Sequence, residues 1–252
     1  MGGSMNMTRG LDRERSQQSC SGATEVNLGC TSVAEHCTDD VDPLVQSNIL
    51  FGTQLLEAMT VTGVSTIVNT GTTWQHYEGR EYSPVSLYAA TKQAFQNILQ
   101  FYCEVRGLCA MTLELPNTYG PGDRSPKLLS LMDRAARTGE TLQMSPGEQL
   151  LDLLHVDDVA HGYEVVADGL LSGQLPSSSQ YRLSSGSLVR LKDIVELYRQ
   201  ATRRTVSVAW GGRPYRVREV MEPQSPVPVL PGWIASRSLA TWLAESTVRT
   251  AT

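Results

Sequence analysis

Tyr88 and Lys92 stand four residues apart in the stretch SPVSLYAATKQAFQNIL, where an apolar-periodic run begins. On a helix that spacing puts both side chains on one face, about one turn apart. A phenol titrates near ~10, so at neutral pH it exchanges protons poorly unless a neighbouring cation favours the phenolate. The Lys92 ammonium could be that cation, and it could also hold a ribose hydroxyl. Thr72, at the end of the preceding strand-like run, offers a hydroxyl that could bind a substrate oxygen beside the tyrosine. The three make an acid, its tuner and an orienter for proton transfer coupled to hydride transfer. Taken alone, the Tyr/Lys pair reads more simply as two ordinary residues on a half-buried helix.

The elements that would position these groups alternate. DPLVQSNILFGTQLLEAMTVTG has helical apolar spacing and stops at Gly63, which predicts a helix near 42–61. VSTIVNTG is a β-branched run bounded by glycine, the pattern of a buried strand. Residues 86–106 repeat with period 3.6 up to Gly107, and CAMTLEL is a second strand ended by Pro116. Such alternation predicts a parallel sheet covered by helices, with chemistry beyond the carboxyl ends of the strands. Those ends are TGTT (Thr70 to Thr73) and PNTYGPGD (Pro116 to Asp123), rich in hydroxyls and turn residues. A helix near 125–138, a strand near 150–155, a helix opening at Asp157 and Asp158, a loop at LPSSSQ and a helix near 191–202 complete the pattern.

At 252 residues with 40% hydrophobic content, the chain can bury a sizeable core. A net charge of −5 gives no global basic field, so nucleic acid and anionic membranes are poor partners. Cys20, Cys30, Cys37, Cys103 and Cys109 form no C-x-x-C pair and the four histidines are scattered, so neither a disulfide framework nor a metal site is indicated. No run approaches the roughly 18 apolar residues of a membrane span, and Arg9, Arg13 and Arg15 stand where a signal peptide needs an apolar segment. A cytoplasmic protein is expected.

Several spaced stretches, in order, resemble the extended short-chain dehydrogenase/reductase family of nucleotide-sugar epimerases, dehydratases and reductases. They are DP with Asn48 and GTQLLEA, then NTGTTWQHYEG, YAATK, LELPNTYGPGD and LLHVDDVAHGY, and the resemblance runs from about Val26 to the C-terminus. NTGTTWQHY and the later SSGSLVRLKDIVELY, WGGRPYRVREVM and LPGW look most like the branch that includes CDP-3,6-dideoxyhexose synthases, which reduce a 4-keto sugar nucleotide. The resemblance implies an α/β fold: a Rossmann-like parallel sheet with flanking helices, N-terminally truncated, with a small mixed C-terminal subdomain. The expected division is a flexible leader at 1–24, a catalytic domain at 25–175 and a smaller substrate-binding subdomain at 176–252 that shares parts of 117–150.

By the same resemblance Thr72, Tyr88 and Lys92 are catalytic. Tyr88, Lys92, Leu115 and Pro116 border a nicotinamide cofactor, NAD or NADP. Thr72 and Asn117 meet a nucleotide sugar, and Asn48 positions backbone. Arg216 and Arg218 lie in a basic loop where guanidinium forks could grip a diphosphate, or could belong to a solvated charge run. Leu151 stands before Asp152 where many family members carry arginine. A homodimer is a possible assembly.

The family's opening strand, G-x-x-G-x-x-G turn and helix have no counterpart in the sequence. SGATEVNLG (Ser21 to Gly29) lacks the middle glycine and has no apolar strand before it. Three readings stay open: a reductase or epimerase of a nucleotide-activated deoxysugar from a shortened gene product, a catalytically impaired remnant that binds a nucleotide sugar or a partner protein, and an acid–base enzyme without a freely exchanging nicotinamide.

Overall fold

The computed structural model describes residues 24–249 apart from Leu28, Cys30 and Arg124. The leader expected at 1–24 therefore lies outside the described residues, except that Thr24 opens a strand. That strand, β1 (Thr24–Asn27), is the edge of a four-stranded parallel sheet with β2 (Thr66–Thr72), β3 (Cys109–Leu115) and β7 (Ser179–Arg182), in the order β1-β2-β3-β7. β2 and β3 run side by side from Thr66 opposite Cys109 to Thr72 opposite Leu115. Cys109 is disulfide-bonded, which corrects the expectation of cysteines without disulfides at that position.

Period-2 alternation divides these strands between two cores. Ile67 and Ala110 face a cluster with Leu56, Met59, Phe95, Leu99 and Tyr102, while Val68, Met111 and Leu113 face one with Val166, Leu170 and Leu183. The first cluster comes from α2 (Phe51–Thr62), which continues a helical run of α1 (Val41–Val45) and a π-helical turn at Gln46–Leu50, and from α3 (Leu87–Arg106) beside it. The second comes from α5 (Val156–Leu171) on the other face. Gly63 and Gly107 end α2 and α3 at φ 77° and 71°, a conformation that a Cβ disfavours. At Gly52 a Cβ would lie 2.4 Å from Cε2 of Phe95, so α2 touches α3 through a missing side chain. Gly52→Ala is expected to cost about 1–3 kcal/mol, read as a lowered thermal midpoint.

The remaining elements form a second layer. β4 (Asn117–Tyr119), β6 (Leu150–His155) and β8 (Leu188–Arg190) make a three-stranded sheet, and β5 (Thr141–Met144) pairs with β9 (Ser207–Trp210). α4 (Leu128–Thr138), α6 (Leu191–Thr202) and α7 (Leu239–Arg249) pack around them through Met132, Ile194, Val195 and Leu243. β7 begins inside the stretch expected as a loop and lies past residue 175, yet it joins the main sheet beside β3. β4, likewise, forms inside PNTYGPGD. No helix among the described residues is long and apolar enough to cross a membrane.

Candidate active site

Thr72 is the last residue of β2, 7% exposed, and its hydroxyl accepts from the Trp74 amide at 3.3 Å. A loop of short 3-10 turns returns the chain to α3, whose first two turns carry Tyr88 and Lys92. Ser86 opens that helix, its Oγ accepting from the Ala89 amide at 3.4 Å. Tyr88 is half-buried and Lys92 is 3% exposed. Thr91 donates to the Tyr88 carbonyl at 2.8 Å, and Asn48 Nδ2 donates to Thr91 Oγ1 at 2.9 Å and to the Thr31 carbonyl at 3.0 Å. Asn48 also accepts from the Thr31 amide at 3.1 Å. The π-helical turn, which re-aims one helical residue, thus uses a buried amide to fasten the start of α3 to the segment after β1.

A cavity of about 880 Å³ opens above the carboxyl ends of the strands. Of the residues singled out in the sequence, Pro116, Asn117, Arg216 and Arg218 line it, with Thr73 and Trp74 from the loop that follows Thr72. Thr72, Tyr88, Lys92 and Leu115 are not on its wall. Cationic side chains converge there, but several already have partners. Arg204 pairs with Asp133 at 2.6 Å, and Lys127 with Asp123 at 3.2 Å. Arg218 donates to the Pro84 carbonyl at 2.7 Å and to Ser83 Oγ, and its guanidinium stacks 4.5 Å from the Tyr77 ring centroid. It braces the loop between β2 and α3. Arg216 Nε lies 3.6 Å from Glu35 and has no hydrogen-bond partner among the described residues, and the guanidinium sits 5.9 Å from the Trp74 ring centroid. Tyr119, on the same wall, is pushed up to about 12 by burial and then by the Asp158 charge, so it is a poor acid near neutral pH.

Two residues missed in the sequence stand beneath the loop. His76, 5% exposed, pairs through Nε2 with Oε1 of the fully buried Glu114 at 2.7 Å, and its Nδ1 donates to the Arg80 carbonyl at 3.1 Å. A carbonyl only accepts, so Nδ1 carries hydrogen and the His76–Glu114 contact holds a second proton between them. Burial works to lower the His76 pKa; the bond to Glu114, its charge and the Arg80 and Glu81 carbonyls raise it further, so the net shift is upward. The signal was present in CAMTLEL: an acid inside an otherwise apolar buried strand needs a partner.

The model of the NAD dependent epimerase/dehydratase family matches residues 17–176 of this chain. The CDP-abequose synthase of Salmonella muenchen is 24% identical over 196 residues, 76% of this chain and 65% of that protein. The CDP-abequose synthase of Yersinia pseudotuberculosis is 27% identical over 183 residues, 71% of this chain and 62% of that protein. The chain thus spans less than two thirds of the length of either relative. Among solved structures, MoeE5 in complex with UDP-glucuronic acid and NAD superposes with a TM-score of 0.78 at 24% identity, over 91% of this chain and 80% of that one. A likeness at that identity shows the fold, a Rossmann-like parallel sheet with flanking helices.

Proposed function

This chain belongs to the NAD dependent epimerase/dehydratase family, and from that premise we propose that it binds NAD or NADP with a nucleotide-activated deoxysugar and catalyses oxidoreduction or epimerisation at a sugar carbonyl. The reaction we favour is reduction of a 4-keto sugar. The observation that carries this reading is the cavity that gathers Pro116, Asn117, Arg216 and Arg218 against the loop that starts at Thr72. Its CDP-abequose synthase relatives make a CDP-sugar the first substrate to try.

The residues present fit the nicotinamide end of a dinucleotide. Asn27, last in β1, is 5% exposed and its Oδ1 has no hydrogen-bond partner among the described residues, at the carboxyl edge where such cofactors lie in folds of this type. Lys92 would hold the ribose, and Leu115 and Pro116 would border the ring. When bound, the nicotinamide supplies or accepts the hydride. The chain's own residues handle the proton: the Tyr88 hydroxyl gives it to the sugar oxygen as a carbonyl becomes an alcohol, while Thr72 Oγ1 hydrogen-bonds that oxygen. Lys92 favours the resulting phenolate. Asn117 and Arg216 meet the diphosphate, where a guanidinium fork matches two oxygens.

Calorimetric titration with NAD(H), NADP(H) and a panel of nucleotide diphosphosugars tests this. Binding of one nicotinamide and one sugar nucleotide is expected; sugar-nucleotide binding without any nicotinamide would replace the reductase with a binding protein. We propose a homodimer as the assembly, supported by Val45, Leu50, Phe51, Phe101 and Val105, which stand 40–59% exposed on the helices beside the sheet. Sedimentation of the purified chain as a monomer would refute that pairing.

A further inference from the structure

Gln75 is fully buried, three residues after Thr72. Its Oε1 accepts from the Thr72 amide at 3.0 Å, and its Nε2 donates to Gln93 Oε1 at 2.7 Å and to Gln96 Oε1 at 3.1 Å. One side chain therefore ties the strand end bearing Thr72 to α3, at the residue that follows Lys92. The amides continue in a row. Gln96 Nε2 donates to Gln180 Oε1 at 2.8 Å, and Gln180 Nε2 donates to Glu114 Oε1, the oxygen that also meets His76. His76 neighbours Gln75 in sequence, so the row closes on the loop where it began.

Every amide in this row donates toward Glu114. Glu114 Oε1 is the acceptor at its end, so turning any one amide over would set two acceptors face to face in a part-buried site. Glu114 thereby fixes the sense of Gln180, Gln96 and Gln75, and that sense leaves Gln75 Oε1 facing the Thr72 amide. The space above the strand is filled by the same groups: a Cβ on Gly71 would lie 2.9 Å from Glu114 Cγ and 3.2 Å from Gln75 Oε1.

We propose that Gln75 is a positioning residue that sets the reach between the Thr72 and Tyr88 hydroxyls, with its orientation imposed by Glu114 through Gln96 and Gln180. The roles of Thr72 and Tyr88 rest on the proposed function; the amide row does not. A charge-relocation cycle tests it. Gln75→Glu preserves size and the acceptor for Thr72 but points oxygen at the oxygens of Gln93 and Gln96; Gln93, which donates outward to Asn97, can turn, whereas Gln96 cannot while its amide serves Gln180 on the way to Glu114. Glu114→Gln places a donor at the far end, so in the double variant Gln96 and Gln180 can reverse together and point at the new carboxylate.

Gln75→Glu alone is expected to lower kcat about 10- to 100-fold with KM changed less than about threefold, because remote misplacement costs rate rather than affinity. Its thermal midpoint should fall by about 5 °C or more. The double variant should regain kcat to within about fivefold of Glu114→Gln and melt above Gln75→Glu, a coupling that independent packing defects do not produce. Additive losses in both readouts overturn the proposal. If no substrate turns over, the reductase reading falls while the melting cycle still decides the amide row. Should Gln75→Glu fail to fold, Gln75→Met replaces it, read by hydrogen exchange of the Thr72 amide. Exchange faster by about tenfold or more supports the proposal, and unchanged exchange in the folded variant overturns it.

Discussion

Tyr88→Phe is expected to lower turnover by about 10²- to 10⁴-fold, the range that a positioned general acid contributes, while the sugar-nucleotide dissociation constant stays within about threefold of wild type. The substitution removes one oxygen from a half-buried side chain and leaves the ring that fills the space. Ser86 caps α3, Thr91 donates to the Tyr88 carbonyl and Asn48 donates to Thr91, so the helix start has holds besides that hydroxyl. A loss of rate without loss of binding therefore reports the proton and not the fold. Tyr119 cannot stand in, because burial holds its hydroxyl protonated up to about 12. Single-turnover kinetics paired with calorimetry separate the two effects, and an unchanged rate in Tyr88→Phe would remove this tyrosine from the mechanism.

The helix that carries Tyr88 and Lys92 was legible because a spacing of four residues, an apolar stripe around it and Gly107 as a stop all agree, which puts both side chains on one helical face. The observed bounds, Leu87–Arg106, follow the apolar period closely. β2 and β3 were legible for the same kind of reason, as β-branched or apolar runs buried on both faces. β7 was hidden, since SQYR offers a parallel edge neither alternation nor an apolar run, and its pairing with β3 is a tertiary fact. The cavity was legible only in parts. Asn117 stands just past a strand end, where the parallel-sheet rule directs attention, whereas Arg216 reaches the same wall from a segment almost a hundred residues later. Arg218 shows the limit of reading charge from sequence. The sequence left its fork open between a diphosphate and a solvated charge run, and in the fold one N–H from each terminal nitrogen goes to the Pro84 carbonyl and the Ser83 hydroxyl.

Glu114→Leu is expected to destabilise the protein by about 3–5 kcal/mol, because it removes one member of a buried pair and leaves the other uncompensated. The direction with pH makes this more than a packing prediction. The folded His76 pKa is raised above its ordinary value of 6.5, with burial opposing and the Glu114 bond and charge, then the Arg80 and Glu81 carbonyls, prevailing. A group raised in the folded state contributes stability fully below its unfolded pKa and loses that contribution as pH climbs through the folded one. The wild-type chain should therefore lose denaturation free energy on going upward from about pH 6.5. In Glu114→Leu the two Glu114 contributions are gone while burial, the largest cause, remains. The decline above pH 6.5 should vanish, and stability should instead fall as the medium is acidified and the imidazole must be charged without its anion. Urea unfolding of both proteins from pH 5.5 to 8.5 reads the two slopes. Parallel curves would show that His76 takes no proton from its contact with Glu114.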